Sequence, residues 1–231
     1  MAQGEKALVL ASGGLDSTTL LAYAISKYGA ENVQALSIQY GQKHVREMES
    51  AQMVAAHYGI ELHTLDLTAI FANSDCSLLA HSAHDIPRES YAEQLADAES
   101  PLVSTYVPFR NGLFLSSAAA MALSLGCGTL YYGAHHDDWA GSAYPDCSPE
   151  FVEAMGQAIG RGTGGELCLE APFVTWSKAD IVKLGLELNV PYVLTWSCYE
   201  GGEHPCGTCA TCIDRARAFE ENGAVDPLLG A

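Results

Sequence analysis

The sequence predicts an α/β protein: a parallel sheet flanked by helices, followed by a small C-terminal metal-binding subdomain. Three observations predict it. Apolar runs of strand length alternate with amphipathic runs of helix length. Glycines stand where helices should stop. Half of the eight cysteines crowd toward the C-terminus, at 198, 206, 209 and 212. With 231 residues, 48 % apolar and 17 % charged, the chain can bury a sizeable core, and disordered, collagen-like or disulfide-stapled classes fit poorly. The expected division is an α/β domain over 1–190 and the metal-binding subdomain over 191–231.

A first strand is expected over 7–10, a helix over 17–28 ended by Gly29, and a second strand over 33–38. Over 44–58, the apolar residues Met48, Ala51, Val54, Ala55 and Tyr58 fall at helical spacing, and Gly59 supplies the stop. A third strand should occupy 60–65. The stretch 68–106 mixes Ser, His, Pro and acids without periodicity and reads as an insertion or flap. No charge occurs between Gly112 and Ala134, a span long enough to raise a membrane helix. Its first half is rich in Ala and Ser, Gly126-Cys127-Gly128 interrupts it, and Thr129-Leu130-Tyr131-Tyr132 has strand composition. A helix over 111–125 and a buried strand over 129–132 are therefore expected. A helix over 149–159, an edge strand over 167–169 and a helix over 178–188 complete the pattern.

Acidic residues outnumber basic ones 28 to 11, for a formal charge of −17. A field of that sign repels phosphate backbones and anionic lipid, which argues against nucleic acid or membrane as the main partner. The polar start, residues 1–6, leads into an apolar run too short for a signal peptide, so a cytoplasmic location is expected. In that setting the cysteines lean toward metal or catalytic use over disulfides.

The sharpest local signal follows the first strand: Ser12-Gly13-Gly14-Leu15-Asp16-Ser17, with Thr18 and Thr19 opening a helix. Glycines allow a tight turn, and the helix N-terminus presents N–H groups to an anion, so a phosphate is the expected occupant. The alternative is a plain turn with a Ser or Thr cap. Walker spacing is absent, so γ-phosphate chemistry is not indicated. Lys178, after Pro172-Phe173-Val174-Thr175-Trp176-Ser177, is a second candidate for phosphate contact, and Arg110 a third, because a guanidinium neutralises phosphoryl charge.

The cysteines run C-x7-C-x2-C-x2-C, a spacing that closes a tetrahedron around zinc and leaves no open position, which favours a structural ion. An iron–sulfur cluster or redox pairing are the competing uses. The loop 133–147, with His135, His136, Asp137 and Asp138, follows a buried strand and should face the same crevice as the glycine loop, since ligands gather at the carboxyl ends of parallel strands. A transition-metal cluster or a solvated acidic loop are the other readings.

SGGLDSTTLL, Ile38-Gln39-Tyr40-Gly41-Gln42-Lys43-His44, Tyr106-Val107-Pro108-Phe109-Arg110-Asn111, the Tyr144-Pro145-Asp146-Cys147 loop and the cysteine tail together resemble the 7-cyano-7-deazaguanine synthase family of PP-loop ATP pyrophosphatases. That resemblance covers nearly the whole chain. It implies a Rossmann-like, adenine nucleotide α-hydrolase-like fold and an ATP-dependent C–N ligase that turns 7-carboxy-7-deazaguanine and ammonia into a nitrile, a precursor of queuosine or archaeosine. Further implied are ATP contacts from Ala11, Ser12, Gly13, Gly14, Leu15, Asp16, Ser17, Thr18, Thr19, Leu20 and Leu21, with Asp16 acting through Mg²⁺ or ordering the loop. Lys178 and Arg110 would stabilise developing charge. Tyr40, Arg110, Asn111 and Tyr144 would line the substrate, and Asp137, Asp138 or Asp146 would accept N–H bonds from its guanine-like edge. Structural zinc would sit on Cys198, Cys206, Cys209 and Cys212, and the family leaves room for a homodimer. Two rival functions share the loop: a ligase joining the same acid to another amine, and a tRNA-modifying enzyme, which would need a basic surface.

Overall fold

In the computed structural model, which describes residues 6–43, 45–85, 103–139 and 144–228, five parallel strands form one sheet in the order β3-β2-β1-β4-β5. The elements are β1 (Ala7–Leu10), α1 (Leu15–Tyr28), β2 (Val33–Gln39), α2 (Arg46–Tyr58), β3 (Glu61–Asp66), α3 (Arg110–Ser124), β4 (Thr129–Tyr131), a short α4 (His136–Trp139), α5 (Pro149–Gly162), β5 (Cys168–Glu170), α6 (Lys178–Glu187) and α7 (Ala210–Glu221). The central β1 pairs with β2 and β4 in register, Ala7 opposite both Val33 and Thr129.

Alternation along the strands divides the core between the two sheet faces. Ala7, Val9, Val33, Ala35 and Tyr131 join a cluster with Leu20, Leu21, Ile181, Val182 and Phe219, so α1, α6 and α7 cover that face. Leu8, Leu36, Leu130 and Tyr132 join Leu115, Ala118, Ala122 and Ile159, so α3 and α5 cover the other. Caps set the helix starts: the Ser148 hydroxyl accepts from Phe151 N–H at α5, and Ser177 with Asp180 forms a capping box at α6. Strand order reverses between β1 and β4, and a crevice opens at the carboxyl ends of these two strands.

Every expected strand and helix is present, with ends displaced by a residue or a few. The largest displacement that matters is at α1, which starts at Leu15 rather than 17 because Gly14 occupies the N-cap position, so Asp16 and Ser17 lie in its first turn. Among the described residues two helices carried no sequence expectation, α4 and α7. Of the expected insertion, residues 86–102 lie outside the described residues. Its described part folds back: Phe71, Cys76, Leu78 and Leu79 pack with Tyr40 and Val107, and Leu79 makes an antiparallel bridge to Gln42. The uncharged 112–134 span is divided between α3 and β4, and among the described residues no helix is long and apolar enough to cross a membrane.

The C-terminal lobe shares the main core. Phe219 of α7 meets the Tyr192 ring edge-on at 5.1 Å, and the Tyr192 hydroxyl and Thr19 Oγ1 lie 2.8 Å apart on α1. Gly185 of α6 lets that tyrosine in, since a Cβ there would collide with its hydroxyl.

Candidate active site

The crevice holds a cavity of about 270 Å³ whose wall includes Ser12, Gly14, Asp16 and Ser17 of the glycine loop. Gly13 adopts φ +84°, and a Cβ on it would strike the Glu47 carbonyl, so glycine lets the first turn of α2 rest directly on the loop. From the other side Trp196 N–H donates to the Gly13 carbonyl at 2.9 Å. Ser12 Oγ and Ser17 Oγ lie 3.1 Å apart across the turn. Among the described residues no side chain caps α1, which leaves its first-turn N–H groups for an anion.

Lys178, the first residue of α6, reaches Asp16: Nζ donates to Oδ2 at 2.9 Å. His135 sits behind them, only 2 % exposed, with Nε2 3.2 Å from Lys178 Nζ, 3.5 Å from Asp16 Oδ2 and 3.4 Å from Asp138 Oδ2. Burial alone would raise the Asp16 pKa, but the Lys178 ammonium and His135 override it and hold the carboxyl far below the usual range. For Lys178 burial works against the charge, yet Asp16 and Asp138 raise its pKa. His135 follows the same balance, with burial opposed by Asp138 and Asp16, and ends above its ordinary value. Asp16 Oδ1 is buried without a hydrogen-bond partner among the described residues, an oxygen suited to a hard cation. Asp137 Oδ2 accepts the Lys178 backbone N–H at 2.9 Å and so fixes the start of α6.

At the far end of the cavity Arg110 stacks over Tyr40, guanidinium carbon to ring centroid 5.0 Å, and lies 5.8 Å from the Phe114 centroid. It opens α3 after Phe109, whose φ of +53° is a left-handed conformation that glycine takes more easily. Asn111 Nδ2 donates to Cys147 Sγ at 3.3 Å, and burial pushes that thiol far above its ordinary pKa, so it is no nucleophile.

Ala11, Ser12, Gly14, Leu15, Asp16, Ser17, Tyr40, Arg110, Asn111, Asp137, Asp138, Tyr144 and Lys178, all expected from sequence, meet on this one wall. Others are placed differently. Thr18, Thr19, Leu20 and Leu21 are buried in the core because the turn of α1 carries them inward, and Thr19 is held by the Leu15 carbonyl and Tyr192; they support the loop without lining the cavity. Gly13 lies beneath it, under α2. Asp146, expected at the substrate edge, instead uses Oδ2 to accept the Asn111 N–H at 3.0 Å and anchors the start of α3. Glu47 and Asp214 line the cavity without having been anticipated.

Cys198, Cys206, Cys209 and Cys212 bring their sulfurs within 4.8 Å of one another and could hold a metal ion. Backbone N–H groups point at the sulfurs, Cys206 N–H to Cys198 Sγ at 3.3 Å and Cys209 N–H to Cys206 Sγ at 3.2 Å, an arrangement that stabilises thiolate charge. Just behind, Arg215 is buried and bidentate to Asp226 at 2.7 and 2.9 Å, with further bonds to Thr195 Oγ1 and the Tyr192 carbonyl. Arg215→Ala should destabilise the fold by about 3–5 kcal/mol in urea unfolding, because it strands the Asp226 charge in the interior. A loss under about 1 kcal/mol would show the pair to be surface-like.

Comparisons with known proteins give the family and the fold. A family model described as queuosine biosynthesis protein QueC matches residues 6–223. A 7-cyano-7-deazaguanine synthase of Oceanobacillus iheyensis is 42 % identical over 227 residues, covering 97 % of this chain and 98 % of its own. One from Archaeoglobus fulgidus is 43 % identical over 229 residues, 97 % and 90 % of the two chains. Among solved structures, an NMN synthetase from Francisella tularensis shares the fold with a TM-score of 0.53 at 14 % identity, over 96 % of this chain and 78 % of its own. The U34-tRNA thiolase NcsA of Methanococcus maripaludis does so at 0.51 and 15 %, over 94 % and 66 %.

Proposed function

Because the chain belongs to the QueC queuosine biosynthesis family, we propose that it converts 7-carboxy-7-deazaguanine, ammonia and ATP to 7-cyano-7-deazaguanine. The observation that carries this reading is one cavity with two chemically distinct ends: an anion loop with Lys178 at one, and Arg110 stacked on Tyr40 at the other. A carboxylate is a poor electrophile, so it is first adenylated at the α-phosphate of ATP. Ammonia displaces AMP to give an amide, and a second adenylation on the amide oxygen allows dehydration to the nitrile.

Ser12, Gly14, Ser17 and the α1 N-terminus would hold the pyrophosphate half of ATP, with Lys178 released from Asp16 onto phosphate oxygens. Mg²⁺ would take Asp16 Oδ1 and offset phosphate charge. The flat ring system would lie near Tyr40 and Arg110, and Asp137 or Asp138 supplies acceptors for its N–H edge. Zinc is the ion proposed for the four thiolates: sulfurs about 2.3 Å from a tetrahedral ion are about 3.8 Å apart, inside the spread found here. It would fasten the lobe over 191–231 to the ATP-binding part over 1–190, and clustered thiolates suit the reducing cytoplasm.

Mass spectrometry of products from the acid, ATP and ammonium tests the reading. Nitrile, AMP and pyrophosphate are expected; an adduct with another amine would transfer the chain to the rival ligase reaction. The charge of −17 adds a second expectation, no appreciable tRNA binding at about 0.15 M salt. Sub-micromolar tRNA affinity would instead favour the tRNA-modifying reading.

A further inference from the structure

An amide becomes a nitrile by losing its oxygen and both N–H protons. In the reaction proposed above the oxygen departs on AMP, but none of the residues given a role there accepts a proton. We propose that the Glu47 carboxylate is the base for the nitrile-forming step, an inference that rests on that reaction. The amide oxygen attacks the α-phosphorus and pyrophosphate leaves, giving an O-adenylated amide cation that sheds its first, acidic N–H proton to water. Glu47 then takes the second N–H proton while the C–O bond breaks, its electron pair leaving with AMP and the N–H pair closing the C≡N bond. Amide and ATP thus yield nitrile, AMP, pyrophosphate and two protons.

Placement supports this role. Glu47 stands in the first turn of α2, whose backbone rests on Gly13 of the anion loop, and its side chain lines the cavity together with Arg110 and Tyr40. The carbonyl carbon whose oxygen is adenylated must lie between those two ends. Other carboxylates on the wall are engaged: Asp16 by Lys178, Asp137 by the α6 N–H, Asp138 by His135. Asp214 faces Lys178 at the phosphate end. Glu47 makes no carboxylate hydrogen bond among the described residues. Arg46 beside it is directed away, to the Gly202 carbonyl and Glu49.

Basicity agrees with placement. Burial pushes the Glu47 carboxyl up to about 7, with Arg110 pulling the other way, so it is poised to gain and lose a proton near neutrality. Asp16, held far down by Lys178 and His135, is too weak a base. Burial keeps the Tyr40 phenol and the Cys147 thiol protonated. The charged or titratable groups that act on Glu47 are Arg110 of α3 and Tyr40 after β2.

The test supplies full-length Glu47→Gln enzyme with the synthetic amide and ATP, and separately with the acid, ammonium and ATP. Amide-to-nitrile conversion should fall by about 10²–10⁴-fold, the usual contribution of a general base. Starting from the acid, the amide should accumulate. In the wild type the rate of nitrile formation should rise with pH through about 7, and the variant should lose that dependence. Glu47→Asp, which keeps a carboxylate, should recover part of the rate. Amide conversion at the wild-type rate in Glu47→Gln, or an equal fall in both steps as misfolding would give, overturns the assignment. A wild-type enzyme that makes no nitrile at all would instead remove the proposed reaction, and the inference with it.

Discussion

Exchange of labelled pyrophosphate into ATP, driven by 7-carboxy-7-deazaguanine without ammonia, should drop by about 10²–10³-fold in both Lys178→Ala and Asp16→Ala, the usual cost of removing one electrostatic stabiliser of a transferring group. The acid should support exchange alone because adenylation precedes attack by the amine. Lys178 and Asp16 touch at 2.9 Å, and each determines the charge of the other. Deleting the lysine leaves Asp16 facing phosphate with His135 as its remaining cation. Deleting the aspartate removes Oδ1, the proposed Mg²⁺ ligand, and leaves Lys178 to the pull of Asp138 and Asp214. Since the two act as one unit, the double variant should lose little more than either single one. Fully additive losses would mean that the pair is incidental and each residue meets ATP alone. ADP as the nucleotide product would overturn cleavage between the α- and β-phosphates.

Features legible in the sequence were those where chemistry and spacing coincide. The glycine loop follows from a tight turn before a helix, and Gly13 indeed has positive φ under the close approach of α2. The cysteine tail follows from ligand spacing, and its sulfurs do converge. Strands were legible because both faces of the sheet are buried, which makes Ala7–Leu10 a continuous apolar run and puts apolar side chains at Val33, Ala35, Leu36 and Ile38 of Val33–Gln39. What escaped depends on contacts between distant segments. Glu47 sits in a helix first turn, where an acid is expected merely to favour the helix dipole, and only the seating of α2 on the loop directs it into the cavity. Asp214 lies on α7, a helix whose pattern is weak because Arg215 takes a fully buried position through its pair with Asp226. Asp146 was one carboxylate among three candidates, and nothing local marks it as the one that anchors α3.

Removing the metal proposed for the four thiolates should affect stability and chemistry together. The cysteine cluster holds the segment Trp196–Cys198, where the indole N–H of Trp196 closes onto the Cys198 carbonyl at 2.8 Å while its backbone N–H supports Gly13. Cys209 is the N-cap of α7, and α7 carries Phe219 into the main core. Without an ion, four sulfurs within 4.8 Å of one another lose the charge that holds them together, and both connections loosen. Cys209→Ser should therefore lower bound metal and melting temperature in parallel. A loss of about 5 kcal/mol, modest beside the ~10–16 kcal/mol of isolated zinc-finger peptides, corresponds to about 10–20 °C for a chain of this size. Pyrophosphate exchange, measured well below the lowered melting point, should fall too, since the loop has lost its support at Gly13. Metal analysis should return one zinc per chain in a colourless protein, whereas visible absorbance with bound iron would assign the thiolates to a cluster instead. A metal-free wild type with unchanged melting and exchange would leave the cysteines without a structural role.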